Sequence, residues 1–209
     1  IGVYEVTQDE YEKVMRSNPS RFKAAQNPVE QVSWTEAVAF CTQLSALPAE
    51  QAAGRMYRLP TEAEWEYGCR GGTATAFSFA DDDGRIGEYA WYDKNSNGTT
   101  HAVGQKKPNS WGLYDLHGNV EEFCQDWEGD ISADALTDPT GPSLGKLRRG
   151  RGGCWTNNAV RCRSAAAGVY DPQKSRTNYL GLRVVCEISK RDPSRTSLGN
   201  TPPPSLSQG

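Results

Sequence analysis

Residues 57–67 read YRLPTEAEWEY and contain the signals that define the start of a helix. Pro60 disfavours helix in the residue before it, so the chain should enter in an extended conformation. The hydroxyl of Thr61 can accept an early backbone N–H, and the carboxylate of Glu64 can reach back to the cap. Trp65 follows as the first large apolar side chain. The stretch therefore predicts a capped helix with Trp65 buried in the core.

The same capping pattern occurs twice more, at Thr7 with Glu10 and at Ser33 with Glu36. After Ser33, apolar residues recur at helical spacing and predict a helix over about residues 34–47 with one buried face. The residues on that face are Ala37, Phe40, Cys41, Leu44 and Leu47. The first third of the chain is therefore predicted to supply the capped helices of the fold.

The composition changes at about residue 70. Gly, Asn, Asp, Pro and isolated aromatic residues replace the helical pattern, which predicts loops joined by short strands. Residues 146–149 and 181–188 are the candidate strands. Residues 190–209 are rich in Pro and Ser with few apolar side chains, which predicts an extended or disordered tail. The sequence thus predicts one α+β domain over residues 1–189, followed by that tail.

Length and charge narrow the classes of function. The chain has 209 residues, with 23 Lys and Arg against 26 Asp and Glu, for a formal charge of −3. Charges of both signs are interspersed, which is unlike the strongly basic surface that binds nucleic acid. No run approaches the roughly 18 apolar residues that are needed to span a bilayer. We therefore expect no nucleic-acid partner and no membrane span, and we expect a monomer.

Six short motifs occur along the chain in a characteristic order. They are residues 4–8 (YEVTQ), 27–34 (NPVEQVSW), 57–67 (YRLPTEAEWEY), 111–120 (WGLYDLHGNV), 151–153 (RGG) and 181–185 (GLRVV). Together they resemble the formylglycine-generating enzyme and sulfatase-modifying factor superfamily over about residues 1–188. The resemblance implies a C-type-lectin-like α+β fold, with two capped helices packed on small antiparallel sheets and extensive irregular loops.

The cysteines bear on whether the chain has enzyme chemistry. None of the six has CxxC spacing, so zinc and thioredoxin-type sites are not indicated. The resemblance implies that enzymes of the superfamily hold copper with two cysteines that follow the Gly-Gly motif, and thereby activate oxygen. The first of these positions falls near Asn157, whose amide cannot act as a thiolate. We therefore expect no catalytic residue and no cofactor; a copper- and oxygen-dependent enzyme that oxidises a cysteine or small thiol is the alternative.

The resemblance also suggests how two of the cysteines pair. Cys162 resembles the structural cysteine of the superfamily more than its second catalytic one. In relatives that cysteine can pair with the one at the position of Cys69, so the resemblance implies a Cys69–Cys162 disulfide if the protein matures in an oxidising compartment. A redox pair of Cys154 and Cys162 is a less favoured alternative. Cys41, on the apolar helix face, is expected to be a small core residue.

Residues 154–179 resemble the variable region of proteins diversified by retroelements, including the Treponema type. Such elements mutate adenines, and many residues of this segment can be reached from an Asn codon through its first two bases. The resemblance implies a face whose side chains change while the fold stays the same. The candidate ligand-binding residues are Thr156, Asn157, Asn158, Val160, Arg161, Val169 and Tyr170. Mixed polar groups around an aromatic ring and an Arg suit recognition of a protein or cell-surface ligand.

We therefore predict a non-enzymatic display protein that is secreted or located at the cell surface, where a lipid anchor would hold it as a lipoprotein. The chain starts without Met, so it is expected to be a processed form or a fragment from which an export signal is missing. Two alternatives stay open. One is a member of the superfamily whose ligand binds elsewhere, and the other is a structural domain of an envelope complex.

Other candidate sites have weaker signals. Asn119 can bind calcium together with neighbouring carbonyl groups, or it can close a turn through its own side chain. Residues 81–83 are three Asp, but they lack the other ligands of an EF-hand loop and are expected to be a solvated loop. His117 has no Ser or Cys motif beside it and is expected to be structural. Glu62 and Glu66 either form an acid–base pair or, as the sequence favours, are ordinary charges of a capped helix.

Overall fold

The computed structural model describes residues 1–129 and 137–189, and the predicted tail over residues 190–209 lies outside the described residues. The helices are α1 (Gln8–Met15), α2 (Trp34–Ser45), α3 (Pro48–Ala52), α4 (Glu62–Arg70), α5 (Ile86–Tyr89) and the 3-10 helix η1 (Ala159–Cys162). The strands are β1 (Arg55–Arg58), β2 (Glu121–Trp127), β3 (Arg148–Arg151), β4 (Ala167–Tyr170), β5 (Leu180–Gly181) and β6 (Val185–Ile188).

The three predicted helix starts are confirmed. Thr7, Ser33 and Thr61 each accept the backbone N–H of the Glu three residues later, and each of these carboxylates accepts the backbone N–H of the cap. Helix α2 ends at Ser45, two residues before its predicted end, because the proline that begins α3 excludes a continuous helix. None of the helices in the described part of the chain is long and apolar enough to cross a membrane.

The strands form two small sheets. Strands β1 and β6 pair antiparallel, and a second sheet has the order β4-β3-β2-β5, in which only the β2–β5 pair is parallel. The strand predicted at residues 146–149 begins two residues later, as β3. The strand predicted at residues 181–188 is divided into β5 and β6. Between them the backbone pairs with the N-terminal segment, where the Leu182 carbonyl accepts the Val6 N–H at 2.9 Å.

The main core joins α1 and α2 to β2 and β5. Tyr11 of α1 stacks on Phe40 of α2 with 5.3 Å between ring centroids, and both rings lie in one apolar cluster with Phe123 and Leu180. Trp65 is fully buried, as predicted, in a second cluster beneath α4. Burial of such large side chains supplies most of the stabilisation of a domain of this size.

Strand β2 places two adjacent acidic side chains on opposite faces, as the alternation of a strand requires. Glu122 turns into the core, where it accepts a hydrogen bond from Trp65 Nε1 at 2.7 Å and pairs with Arg183. Glu121 turns to the other side, towards Tyr170 of β4. This alternation brings one buried carboxylate to the face that carries the candidate binding residues.

Candidate binding site

Four of the seven predicted binding residues meet at one open cavity of about 350 Å³. They are Thr156, Asn157, Arg161 and Tyr170. The remaining lining residues are Glu121, Gly153, Ala166, Ala167, Gly168 and Tyr179. The cavity therefore combines the loop after the Gly-Gly motif, helix η1, strand β4 and the first residue of β2 in a single site.

The loop that forms one wall is held by its own amide side chains. Asn157 Oδ1 accepts the Cys154 N–H at 3.1 Å, and the Asn158 side chain caps η1 by accepting the Arg161 N–H at 3.3 Å. Gly153 has a left-handed φ of 69°, and a Cβ there would lie 2.8 Å from the Arg161 carbonyl oxygen. Asn157 and Asn158 therefore shape the loop, and Gly153 allows η1 to approach it closely.

Other predicted binding residues present free side chains to solvent. Thr156, Val160, Arg161 and Val169 are exposed, with 56% of Val160 accessible. The Arg161 guanidinium makes no hydrogen bond or ion pair with any residue of 1–129 or 137–189. These four side chains are thus available to a partner without breaking contacts within the domain.

The floor of the cavity consists of Tyr170 and Glu121. The Tyr170 ring packs edge-on against Phe123 at 5.9 Å, and its hydroxyl donates to Glu121 Oε2 at 2.7 Å. Burial raises the pKa of the Glu121 carboxyl and also that of the Tyr170 hydroxyl. Glu121 was not among the site residues predicted from the sequence. The signal that could have found it is the pair of adjacent acids after Val120 at the start of a buried strand.

In the structure Cys69 and Cys162 are both free, buried thiols, and their pairing in an oxidising compartment stays a prediction. The Cys69 Sγ faces the Leu116 carbonyl at 3.7 Å and His117 Nε2 at 3.9 Å. The Cys162 Sγ instead faces Gly153, where an added Cβ would lie 2.8 Å from it. The two sulfur atoms thus contact different groups. The backbone carbonyl of Cys162, not its sulfur, contacts the His117 ring.

The lining of the cavity does not fit the copper chemistry of the superfamily. It contains Asn157 at the position expected for a thiolate, and no sulfur atom lines it. Cys154 and Cys162 lie behind Gly153 and are buried, and burial raises the pKa of both thiols, that of Cys154 to about 12. Copper ligation needs two deprotonated sulfurs on an accessible wall, and this wall presents amide, hydroxyl and guanidinium groups.

Asn119, the calcium candidate, uses its whole side chain inside the protein. It is fully buried with a left-handed φ of 64°. Its Oδ1 accepts the His101 N–H at 2.9 Å, and its Nδ2 donates to Glu5 Oε2 at 2.7 Å. Within residues 1–129 and 137–189, no group of three or more His, Cys, Asp or Glu is placed to hold a metal ion. Asn119 thus closes a turn, and calcium binding there stays a prediction.

The other weak candidates have structural contacts. His117 is buried, with Nδ1 donating to the Cys162 carbonyl at 2.8 Å. Glu62 lies 3.5 Å from Arg149, and Glu66 pairs with Arg151, so both carboxylates take part in ion pairs. The Asp residues at 81–83 are exposed. Among the described residues that line the cavity, none is His117, Glu62, Glu66 or one of the Asp residues at 81–83.

The fold and the loop after the Gly-Gly motif define the class of this molecule as a C-type-lectin-like domain, as predicted. The family model of the sulfatase-modifying factor enzyme 1-like domain matches residues 1–188, and the chain belongs to this family. The family assignment confirms the resemblance that the six ordered motifs indicated.

Solved structures and curated proteins extend this result. Treponema denticola variable protein 1 superposes with a TM-score of 0.79 at 35% identity, covering 88% of this chain and 84% of that one. PvdO from Pseudomonas aeruginosa gives a TM-score of 0.74 at 28% identity, covering 88% and 78%. The formylglycine-generating enzyme of Mus musculus is 36% identical over 177 residues, which cover 77% of this chain but 44% of the enzyme. The chaperone protein LppX of Paenibacillus barcinonensis is 29% identical over 231 residues, covering 88% and 79%.

Proposed function

We propose that this protein is a non-enzymatic binding protein that displays a changeable set of side chains on a rigid C-type-lectin-like frame. The observation that carries the proposal is the state of Thr156, Val160, Arg161 and Val169. All four are exposed, and none of their side chains makes a hydrogen bond or ion pair within the described residues. Surface substitutions of this kind usually change stability by about 0.5 kcal/mol or less.

Part of the backbone beneath this face is held by groups other than the seven candidate binding residues. Strand β4 pairs with β3 through four successive residues. The Trp155 N–H donates to the Asn119 carbonyl at 2.9 Å, and its Nε1 donates to the Asn178 carbonyl at 2.8 Å. The Trp155 ring also packs edge-on against Phe22. Because these contacts are made by backbone groups and by one half-buried ring, the face can vary while its backbone keeps one conformation.

The similarity to Treponema denticola variable protein 1 supports the same proposal, since that protein is named for its variation and shares 35% identity over 88% of this chain. On this basis we assign residues 154–179 as the variable segment. Its partner is a protein or another cell-surface ligand. The protein acts as a monomer, secreted or at the cell surface, without a cofactor and without nucleic acid.

A second function from another class has a specific observation in its favour. The backbone of Cys154 lies against the Cys162 sulfur, so two thiols sit close together directly behind the cavity wall. A copper- and oxygen-dependent oxidation of a cysteine or small thiol is therefore the alternative. Stoichiometric Cu(I) uptake by the reduced protein, with turnover of a cysteine peptide, would decide in its favour. Absence of turnover when copper is supplied would support the binding protein.

The test of the display function is to sequence this locus in many clones of one population. We expect substitutions to concentrate at Thr156, Asn157, Asn158, Val160, Arg161, Val169 and Tyr170. The capped helices provide an internal control, because a mutational process confined to one segment leaves them unchanged. Substitutions spread evenly over the gene would overturn the proposal.

A further inference from the structure

The floor of the cavity carries an acidic side chain that is almost completely buried. Glu121 lines the cavity and is 7% exposed. The Tyr170 hydroxyl donates to its Oε2 at 2.7 Å, whereas its Oε1 has no hydrogen-bond partner of ordinary geometry in the described part of the chain; the nearby Gly168 N–H offsets only part of the rise in the pKa of this carboxyl that burial causes. Buried polar atoms nearly always have a partner, so a carboxylate with unused acceptor capacity beside a cavity is suited to accept a hydrogen bond from a ligand.

The strands next to Glu121 leave room for this carboxylate. A Cβ added at Gly150 would lie 2.9 Å from Glu121 Oε1, and one added at Gly168 would collide with the same oxygen. The same positions also face the Tyr170 ring. Glycine at both positions therefore allows an acidic group to occupy the space between β3 and β4. Burial of its charge is costly unless an opposite charge comes close.

The domain itself does not supply that opposite charge at contact distance. Arg161, which lines the same cavity, and Arg151 lower the pKa of Glu121 by electrostatic attraction, but neither guanidinium lies within 4.0 Å of its carboxylate as an ion pair. Arg161 is exposed to water, so its charge is already solvated and needs no partner. The buried Glu121 carboxylate therefore makes the floor of the cavity favour a positively charged group of a ligand.

We propose that the cavity anchors a basic side chain, the ammonium of a Lys or the guanidinium of an Arg, presented by a protein partner. This inference rests on the proposed function, because it names the chemistry by which the displayed face holds its partner. A charged nitrogen donates a charge-assisted hydrogen bond to Glu121 and stabilises its ionised form. A volume of about 350 Å³ accommodates one long side chain.

Glu121, which anchors the basic group, and the variable residues of the face lie in different segments of the chain. Glu121 is the first residue of β2 and lies outside residues 154–179, whereas Arg161 lies within them. Substitution of Thr156 or Arg161 therefore alters the rim of the cavity and leaves the carboxylate in place, as long as Tyr170, which donates to it, and Gly168, which makes room for it, are retained. Because Arg161 repels a second cation, its replacement by a neutral residue strengthens the anchor. Each variant that retains Tyr170 thus keeps the preference for a basic group, and the residue at position 161 adjusts its strength.

The test is a titration of the folded protein with Nα-acetyl-lysine amide, followed by NMR chemical shifts. Nα-acetyl-norleucine amide serves as the probe of similar length without the ammonium group. We expect the lysine probe to bind about tenfold more tightly than the norleucine probe. Glu121→Gln should remove this advantage, and Glu12→Gln, at an exposed position of α1, should keep it. Arg161→Ala should tighten lysine binding by about fivefold.

Three results would overturn the anchor: equal binding of the two probes, full lysine binding by Glu121→Gln, or weaker lysine binding by Arg161→Ala. If Glu121→Gln fails to fold, the exposed Arg161→Ala variant still decides the question. Tighter binding of Nα-acetyl-glutamate amide that is lost in Arg161→Ala would show that the cavity takes an anion instead. Clustered substitutions among clones without lysine binding would overturn the anchor alone. Lysine binding with evenly spread substitutions would overturn the display function alone.

Discussion

Arg183 and Glu122 form an ion pair at the centre of the domain, with both side chains buried from solvent. Arg183 Nη2 lies 2.8 Å from Glu122 Oε1, and Arg183 Nε donates to the two carboxylate oxygens at 3.1 and 3.0 Å. The guanidinium also donates to the carbonyls of Gly2 and Tyr114. One arginine thus connects the N-terminal segment and the loop before β2 to the strand that carries the floor of the binding cavity.

Replacement of this arginine should destabilise the whole domain. Arg183→Leu leaves the Glu122 charge buried without compensation, and we expect the free energy of unfolding in urea at pH 7 to fall by about 4 kcal/mol. Arg176→Leu is the matched control, because Arg176 pairs with Glu36 at an exposed position and its loss should change stability little. Similar decreases in the free energy of unfolding in the two variants would show that burial does not make the Arg183–Glu122 pair more important to stability than an exposed pair.

The three capped helices α1, α2 and α4 were predictable because their signals are local, whereas the short helices α3, α5 and η1 were not predicted. The Thr61 hydroxyl and the Glu64 carboxylate lie three residues apart, and both hydrogen bonds of the capping box connect neighbours in sequence. The Arg183–Glu122 pair joins residues 61 positions apart, and no periodic pattern in the sequence predicts it. Strand β5 has two residues and pairs through contacts with β2, so it has no pattern of its own.

The same difference applies to the candidate site. The exposed face around Val160 and Arg161 was predicted through family resemblance and the position of the Gly-Gly motif. Glu121 was missed because its partner, Tyr170, lies 49 residues further along the chain. A strand pattern predicts that adjacent side chains lie on opposite faces of the sheet, but it does not predict which face borders a cavity. Long-range packing determines that.

Gly153 should be essential to the geometry of the cavity wall. Gly153→Ala places a Cβ 2.8 Å from the Arg161 carbonyl and from the Cys162 sulfur, in a backbone conformation with φ at 69°. Gly98→Ala is a control of matched conformation, since Gly98 has φ at 76° and nothing within 4 Å of its added Cβ. Both variants place a residue with a Cβ in the left-handed conformation, which lowers the stability of each. We expect the free energy of unfolding in urea to fall by about 2 kcal/mol more for Gly153→Ala than for Gly98→Ala. Equal losses would mean that the loop relaxes freely.

Introduction of a charged side chain should have very different effects on stability at the adjacent positions Ala159 and Val160 of η1. Val160→Asp places a carboxylate in solvent and should alter the free energy of unfolding by about 0.5 kcal/mol or less. Ala159→Asp places the same group in the cluster with Phe77 and Ile86, and should cost about 2 kcal/mol or more. Thermal unfolding of both variants is the measurement. A large loss for Val160→Asp would contradict a face that accepts substitution.

The thiols should separate into one reactive and five protected groups. Cys186 is partly exposed, whereas the other cysteines are buried, and burial raises the pKa of Cys41, Cys69 and Cys154 to about 12. With an aromatic disulfide reagent at pH 8, we expect one fast thiol in the native protein and six after denaturation without reductant. Cys186→Ser should remove the fast phase. Four thiols after denaturation would instead indicate a bridge.

His117 should make the domain less stable as the pH falls. Burial lowers its pKa from 6.5 to about 4, and the ring is held in its neutral form because Nδ1 donates to the Cys162 carbonyl while Nε2 accepts the Ser78 N–H. The unfolded chain therefore binds a proton more readily than the folded one. The stabilising contribution is complete above pH 6.5 and is lost as the pH falls towards 4. Between pH 7 and pH 5 we expect a loss of about 2 kcal/mol from this residue.

Other groups titrate in the same window, so the contribution of His117 must be measured as a difference. The pKa of Asp115 is raised to about 6 by burial, which makes the folded state gain stability as the pH falls below 6 and opposes the effect of His117. Urea unfolding at pH 7 and pH 5 should therefore be compared between the wild type and His117→Gln, in which the decrease is smaller by about 2 kcal/mol. An unchanged pH dependence in His117→Gln would mean that the buried ring does not titrate with a lowered pKa.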